Sequence, residues 1–194
     1  MSKIAHFAAA VALALAASGG VQATTVNLSG ADFGTWQAFD AFDSVSPLPI
    51  SWIDVAYQGD FSLLSFSVTL ASDTFLHVVD SGFAGETFSI LDNGSVIGTT
   101  SAASNTYDTF SLGSSQADLD TAFGDARFSR GSYLLSAGSH VISGRIISST
   151  APLDFQYATT GGIMLTPVPE PETAGILLAG MALVGALSRR RARA

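Results

Sequence analysis

The chain has 194 residues, of which 47% are apolar, only 12% are charged and none is cysteine. That charged fraction is about half the value usual for a soluble protein, which excludes a disordered charged tail, and the missing cysteines exclude a disulfide framework, a thiolate metal site and a cysteine nucleophile. The net charge of −8 is unevenly spread: Lys3 and Arg189, Arg190, Arg191 and Arg193 sit at the ends, while residues 24–166 hold three arginines against 14 acids, a net of −11, so no nucleic-acid partner is expected.

The N-terminus reads as an export signal. Lys3 precedes an apolar stretch over residues 4–17, followed by small residues at Val21 and Ala23. One early positive charge, a short greasy core and a small-residue site form a secretory signal peptide, with cleavage expected after Ala23. Its core is too short to favour a permanent membrane span. Residues 1–23 are therefore expected to engage a secretion translocase, leaving a body over residues 24–166.

That body is rich in serine, threonine and glycine, with short apolar stretches, a composition that favours strands and turns. Phe33, Trp36, Phe39 and Phe42 recur every three residues, followed by Trp52 and Tyr57. Such a concentration in an all-β body belongs to a core more often than to a sugar-binding platform. Phe66, Val68 and Leu70 alternate with polar residues as a half-buried strand. Phe61 and Leu63 have the opposite parity, which predicts a bulge near Leu63-Leu64 if this is one strand. A hairpin is expected between 86–91 and 95–100 through Asp92-Asn93-Gly94, since Asn and Gly tolerate the positive φ of a primed turn.

Residues 116–126 alone look helical, with Leu119, Ala122 and Phe123 on one side and Asp118 and Asp120 near the start, where the helix dipole favours anions. A second hairpin is expected between 133–135 and 140–147, with Ile142 and Ile146 on one face. Phe155, Tyr157 and 163–165 supply closing strands. About eight to ten short strands without tandem repeats predict an all-β fold, a two-layer β-sandwich or jelly roll with one short helix.

At the C-terminal end, Val168-Pro169-Glu170-Pro171 precedes an apolar stretch over 174–187 and then Arg189, Arg190 and Arg191. As a helix that stretch reaches roughly 21 Å at 1.5 Å per residue, short of a hydrocarbon layer of about 30 Å unless its flanks and snorkelling arginines extend it. It reads as a marginal stop-transfer anchor. The arginines resist crossing and place this end in the cytoplasm, while the prolines hold the backbone outside the membrane extended, as a protease requires.

These residues resemble the PEP-CTERM sorting signal of exopolysaccharide-producing Gram-negative bacteria. The resemblance covers residues 168–194 and includes Gly175, Gly180 and Gly185 in the apolar stretch. It implies recognition by an exosortase, a membrane-embedded cysteine protease or transpeptidase, and processing near Pro169-Glu170-Pro171 during delivery to the cell surface. More loosely, Gly82-Phe83-Ala84-Gly85-Glu86, Asp92-Asn93-Gly94, 129–135 and Gly138-Ser139-His140 resemble bodies of other proteins with this tag.

Chemistry in the body is sparse. His77 and His140 are its two histidines, and neither lies near a Gly-x-Ser-x-Gly elbow, so each reads as structural. Paired carboxylates suffice for glycoside hydrolysis, but Asp40 and Asp43, Asp118 and Asp120, and Asp80, Glu86 and Asp92 show no distinctive catalytic spacing. A structural calcium is compatible with an acidic exported body, with no ligands assigned; no other cofactor is expected. The reading is an exported, non-enzymatic protein, anchored transiently in the membrane through 167–194 and then released to the cell surface or matrix, with exopolysaccharide as a candidate ligand. The alternative is an extracellular carboxylate-dependent hydrolase acting on polysaccharide.

Overall fold

The computed structural model describes residues 23–43, 49–54, 62–102, 111–150, 157–169 and Met181. Among the described residues eleven strands and one α-helix follow in chain order: β1 (Ala23–Asn27), β2 (Gln37–Asp43), β3 (Ile50–Ser51), β4 (Ile53–Asp54), β5 (Ser62–Leu70), β6 (Thr74–Asp80), β7 (Glu86–Asp92), β8 (Ser95–Thr99), α1 (Gln116–Gly124), β9 (Arg130–Leu135), β10 (Gly138–Ser149) and β11 (Tyr157–Pro167). The predicted all-β class with one short helix is thus observed.

The sheet is continuous, in the order β8-β7-β10-β5-β4-β2-β11-β6-β9, with β1 added to β5 in parallel and β3 to β10. Short β4 joins the half built on β5, β7 and β10 to the half built on β2, β11 and β6. The halves face each other across one core containing Phe39, Trp52, Phe66, Phe88, Ile142 and Ile163. At the far edge the chain just beyond β8 meets β9, where Ser101 N donates to Arg130 O at 2.8 Å. Two layers therefore arise from one bent, nearly closed sheet.

Alternation decides which side chains enter the core. Leu64, Phe66, Val68 and Leu70 of β5 are buried, while Leu63 faces out. The bulge predicted near Leu63-Leu64 is absent, because β5 keeps unbroken register with β1 from Leu63 to Ser67; Leu63 is simply an exposed apolar residue, which strands tolerate singly. The β7–β8 hairpin forms as predicted, with Asn93 at φ 49° and Gly94 at φ 79°. The Asn93 side chain also stitches the turn to β10, donating to Ser139 O and accepting from Val141 N.

The second predicted hairpin does not form. β9 pairs with β6, and β10 pairs with β5 and β7. The links 71–73 and 136–137 each carry the chain across to the opposite half. Leu70 is partnered with Gly138 and Thr74 with Leu135, so the two crossings run side by side. Ile142 and Ile146 do share the buried face of β10.

Helix α1 begins where Ser115 Oγ accepts from Asp118 N, a side-chain N-cap. Gln116 grips the Trp36 backbone, accepting from its N–H and donating to its carbonyl, both at 2.8 Å. The helix lays Leu119 and Ala122 against Trp36 and Val79 on the sheet face opposite the main core. Gly124 ends it two residues earlier than predicted.

Candidate functional site

The sorting segment grows directly out of a central strand. β11 pairs with β2 from Tyr157 to Ile163 and with β6 from Gly161 to Pro167. Ile163 and Leu165 are buried in the core, and the last body hydrogen bond runs from Val168 N to Asp73 O at 3.0 Å. Pro169 follows at once and is exposed. It has no N–H to extend the ladder, and its ring biases Val168 towards extended backbone. Of the sorting residues, Val168 and Pro169 are thus positioned by the body, whereas Glu170, Pro171, Arg189, Arg190 and Arg191 lie outside the described residues. The apolar stretch 174–187 lies outside them too, apart from exposed Met181. No helix among the described residues is long and apolar enough to cross a membrane.

Ala23, the residue before the expected signal cleavage, opens β1 opposite Leu63; the rest of the signal segment lies outside the described residues.

The body's acids are mostly engaged separately. Asp118 belongs to the helix cap, and Asp120 accepts from Trp36 Nε1 at 2.8 Å. Asp92 holds His140 Nδ1 at 2.8 Å. Asp40 is half-buried on β2, where burial foremost, and then the charge of Asp54, push its carboxyl above the ordinary value against a hydrogen bond from Thr160. The side chains of Asp43 and Phe42 lie outside the described residues, as do Tyr57, Phe61 and Phe155.

Asp80 and Glu86 are the acids the fold unites. Asp80 ends β6 in one half of the sheet, Glu86 opens β7 in the other, and the crossing 81–85 brings them together. They are 0% and 5% exposed. Thr159 Oγ1 donates to Asp80 Oδ1 at 3.1 Å and Ser149 Oγ to Glu86 Oε1 at 2.9 Å, while Asp80 Oδ2 and Glu86 Oε2 are buried without a hydrogen-bond donor. Burial pushes Asp80 well up, helped by the charge of Glu86, and burial lifts Glu86 to about 7. Gly82 lets the crossing press on β11, since a Cβ there would stand 2.4 Å from Thr159 Oγ1 and 2.7 Å from Thr160 N. The sequence groups both acids with Asp92 near strand ends, without a distinctive spacing; the signal that singles out this pair is the glycine-rich run Gly82-Phe83-Ala84-Gly85 between two strand ends.

His77 bonds Ser132 Oγ through Nδ1 and Thr166 Oγ1 through Nε2, at 2.8 and 2.7 Å, and burial lowers its pKa. His140 bonds Asp92 and Ser136 O. Both nitrogens of each ring are thus engaged, His77 between two hydroxyls and His140 between a carboxylate and a backbone carbonyl. Among the described residues, no three His, Asp or Glu side chains are grouped to hold a metal ion. Trp36, Phe39 and Trp52 are interior, with Phe39 stacked on Trp52 at 3.9 Å between ring centroids, so they form core rather than a sugar platform.

No curated protein matches the chain. A family model, the PEP-CTERM protein-sorting motif, matches residues 167–192, beginning on the last residue of β11 and continuing past Pro169-Glu170-Pro171. The chain therefore carries a PEP-CTERM protein-sorting motif, the mark of an exported protein that meets an exosortase-like enzyme at the membrane.

Proposed function

We propose that this is an exosortase substrate whose β body is a non-enzymatic surface or matrix component. Residues 1–23 direct export and are removed after Ala23; 174–187 pauses in the bilayer with the arginines on the cytoplasmic side; processing near Pro169-Glu170-Pro171 frees the body. The observation carrying this reading is the match of the sorting motif beginning where the last strand delivers its exposed proline. Replacing Pro169, Glu170 and Pro171 together should leave a longer, membrane-retained form, and replacing Arg189, Arg190 and Arg191 should weaken retention. Fractionation and intact mass decide it; normal trimming with the triplet destroyed overturns the reading.

Exopolysaccharide is the ligand we propose for the released body, with surfaces other than the buried aromatics providing contact. A matrix pull-down with no retention of the purified body would count against it. The hydrolase alternative rests on Asp80 and Glu86, the carboxylates the fold brings together. Their burial favours a role inside the body, since a polysaccharide chain needs an open groove between the acids.

A further inference from the structure

The sorting motif leaves the body with no spacer. Pro167 is still in register with Thr74, Val168 N is still bonded to Asp73 O, and Gly34 N donates to Leu165 O at 2.8 Å. On the outward face His77 holds Thr166 through its hydroxyl. The chain just ahead of Pro169 is thus committed to the sheet.

A protease or transpeptidase binds its substrate as an extended chain, pairing with backbone groups on either side of the bond it attacks. Thr166 and Val168 cannot offer those groups to an enzyme while β6 and Asp73 hold them, and Pro167 between them has no N–H to offer. We propose that the folded body brakes its own processing: the exosortase-like enzyme engages the triplet productively only when residues 166–168 have come away from β6 or have not yet docked there. This rests on the sorting reading above.

The brake is built to release. Leu165 is the last core residue of the strand, whereas Pro167 is exposed and, like Pro169, donates no hydrogen bond. Opening from Thr166 onward sacrifices its pairing with Phe75 on β6, the Val168 bond and the His77 contact without disturbing the core, the kind of terminal fraying that precedes global unfolding. When opening is fast relative to cleavage, processing follows the open population.

The test uses the full-length protein in its native host, followed by pulse-chase and intact mass. A Gly-Ser linker of about ten residues between Val168 and Pro169 spans roughly 17 Å and frees the triplet while leaving β11 docked; trimming should become about tenfold faster. The pair Phe75→Cys and Thr166→Cys tightens the brake instead. These are register partners in a chain without cysteine, and cross-strand neighbours about 4.5–5.5 Å apart suit a disulfide. The cross-linked form should accumulate as precursor and be trimmed once a reductant opens it. Melting curves of each variant confirm that the body is folded. Equal rates for wild type and linker variant, or trimming of the cross-linked form at the wild-type rate, overturn the brake alone. Absence of triplet-dependent trimming in the wild type overturns the sorting reading and the brake with it.

Discussion

Two residues show how differently a buried position can constrain the body. Glu86 holds its proton in the folded state up to pH of about 7, against 4.5 for the free side chain. Between those values the unfolded chain has released the proton and the folded chain has not, so stability from this group is full below pH 4.5 and lost as pH rises through 7. The span corresponds to a loss on the order of 3 kcal/mol. Glu86→Gln keeps the shape and the Ser149 contact but cannot ionise; it should shrink the fall between pH 5 and 8, leaving the part that buried Asp80 contributes in the same direction, and raise stability at pH 8 by about 1–3 kcal/mol, read from urea midpoints. Gly144 acts through space rather than charge. A Cβ there would lie 2.3 Å from Trp52 Cε2 and Cζ2, and Trp52 is trapped by its stack on Phe39. Gly144→Ala should cost about 1–3 kcal/mol and perturb the Trp52 fluorescence. Neither effect was legible in the sequence, because pairing Asp80 with Glu86, or Gly144 with Trp52, needs two strands to meet. What composition did give was the sense of the aromatics: Trp36, Phe39 and Trp52 are core.

At the scale of elements, local signals were reliable and connections were not. The Asn93-Gly94 turn was legible because both residues carry the positive φ that a primed turn demands. Gly94 has nothing within 4 Å of an added Cβ, so Gly94→Ala tests backbone strain alone. It should cost about 1–2 kcal/mol by thermal or urea unfolding, with the rest of the spectrum unchanged. The start of α1 was legible from its acids and apolar spacing; its Ser115 cap and the grip of Gln116 on Trp36 completed it. The link 136–137 misled, because Ser136-Ala137-Gly138-Ser139 has hairpin composition. Composition does not distinguish a turn that reverses a strand beside itself from one that sends it across the core. Here β6 claims β9, and β5 and β7 claim β10. The bulge failed for a related reason: parity marks which face a residue takes, and Leu63 took the outer one.

For the whole molecule, topology makes the end of the chain decisive. Among the described residues β11 is the last strand in sequence, yet it lies inside the sheet between β2 and β6. It supplies Ile163 and Leu165 to the core, each worth about 1.5–3 kcal/mol on burial, and gives β2 and β6 their partner. Against a typical net stability of about 5–15 kcal/mol, those two side chains and the lost ladders exceed what the body can spare. A body of residues 24–168 should therefore melt cooperatively within a few degrees of the full chain, whereas residues 24–156 should show no cooperative transition and lose the near-ultraviolet signal of Trp36 and Trp52. A cooperative melt of the shorter piece would mean that the two halves close without β11. The consequence for export is kinetic. Long-range pairing of this kind is slow, and the body cannot complete its sheet until the residues adjoining the sorting motif have emerged. Folding and presentation of Pro169 are thereby brought into the same interval, during which, under the proposed brake, undocked residues 166–168 are open to the exosortase-like enzyme.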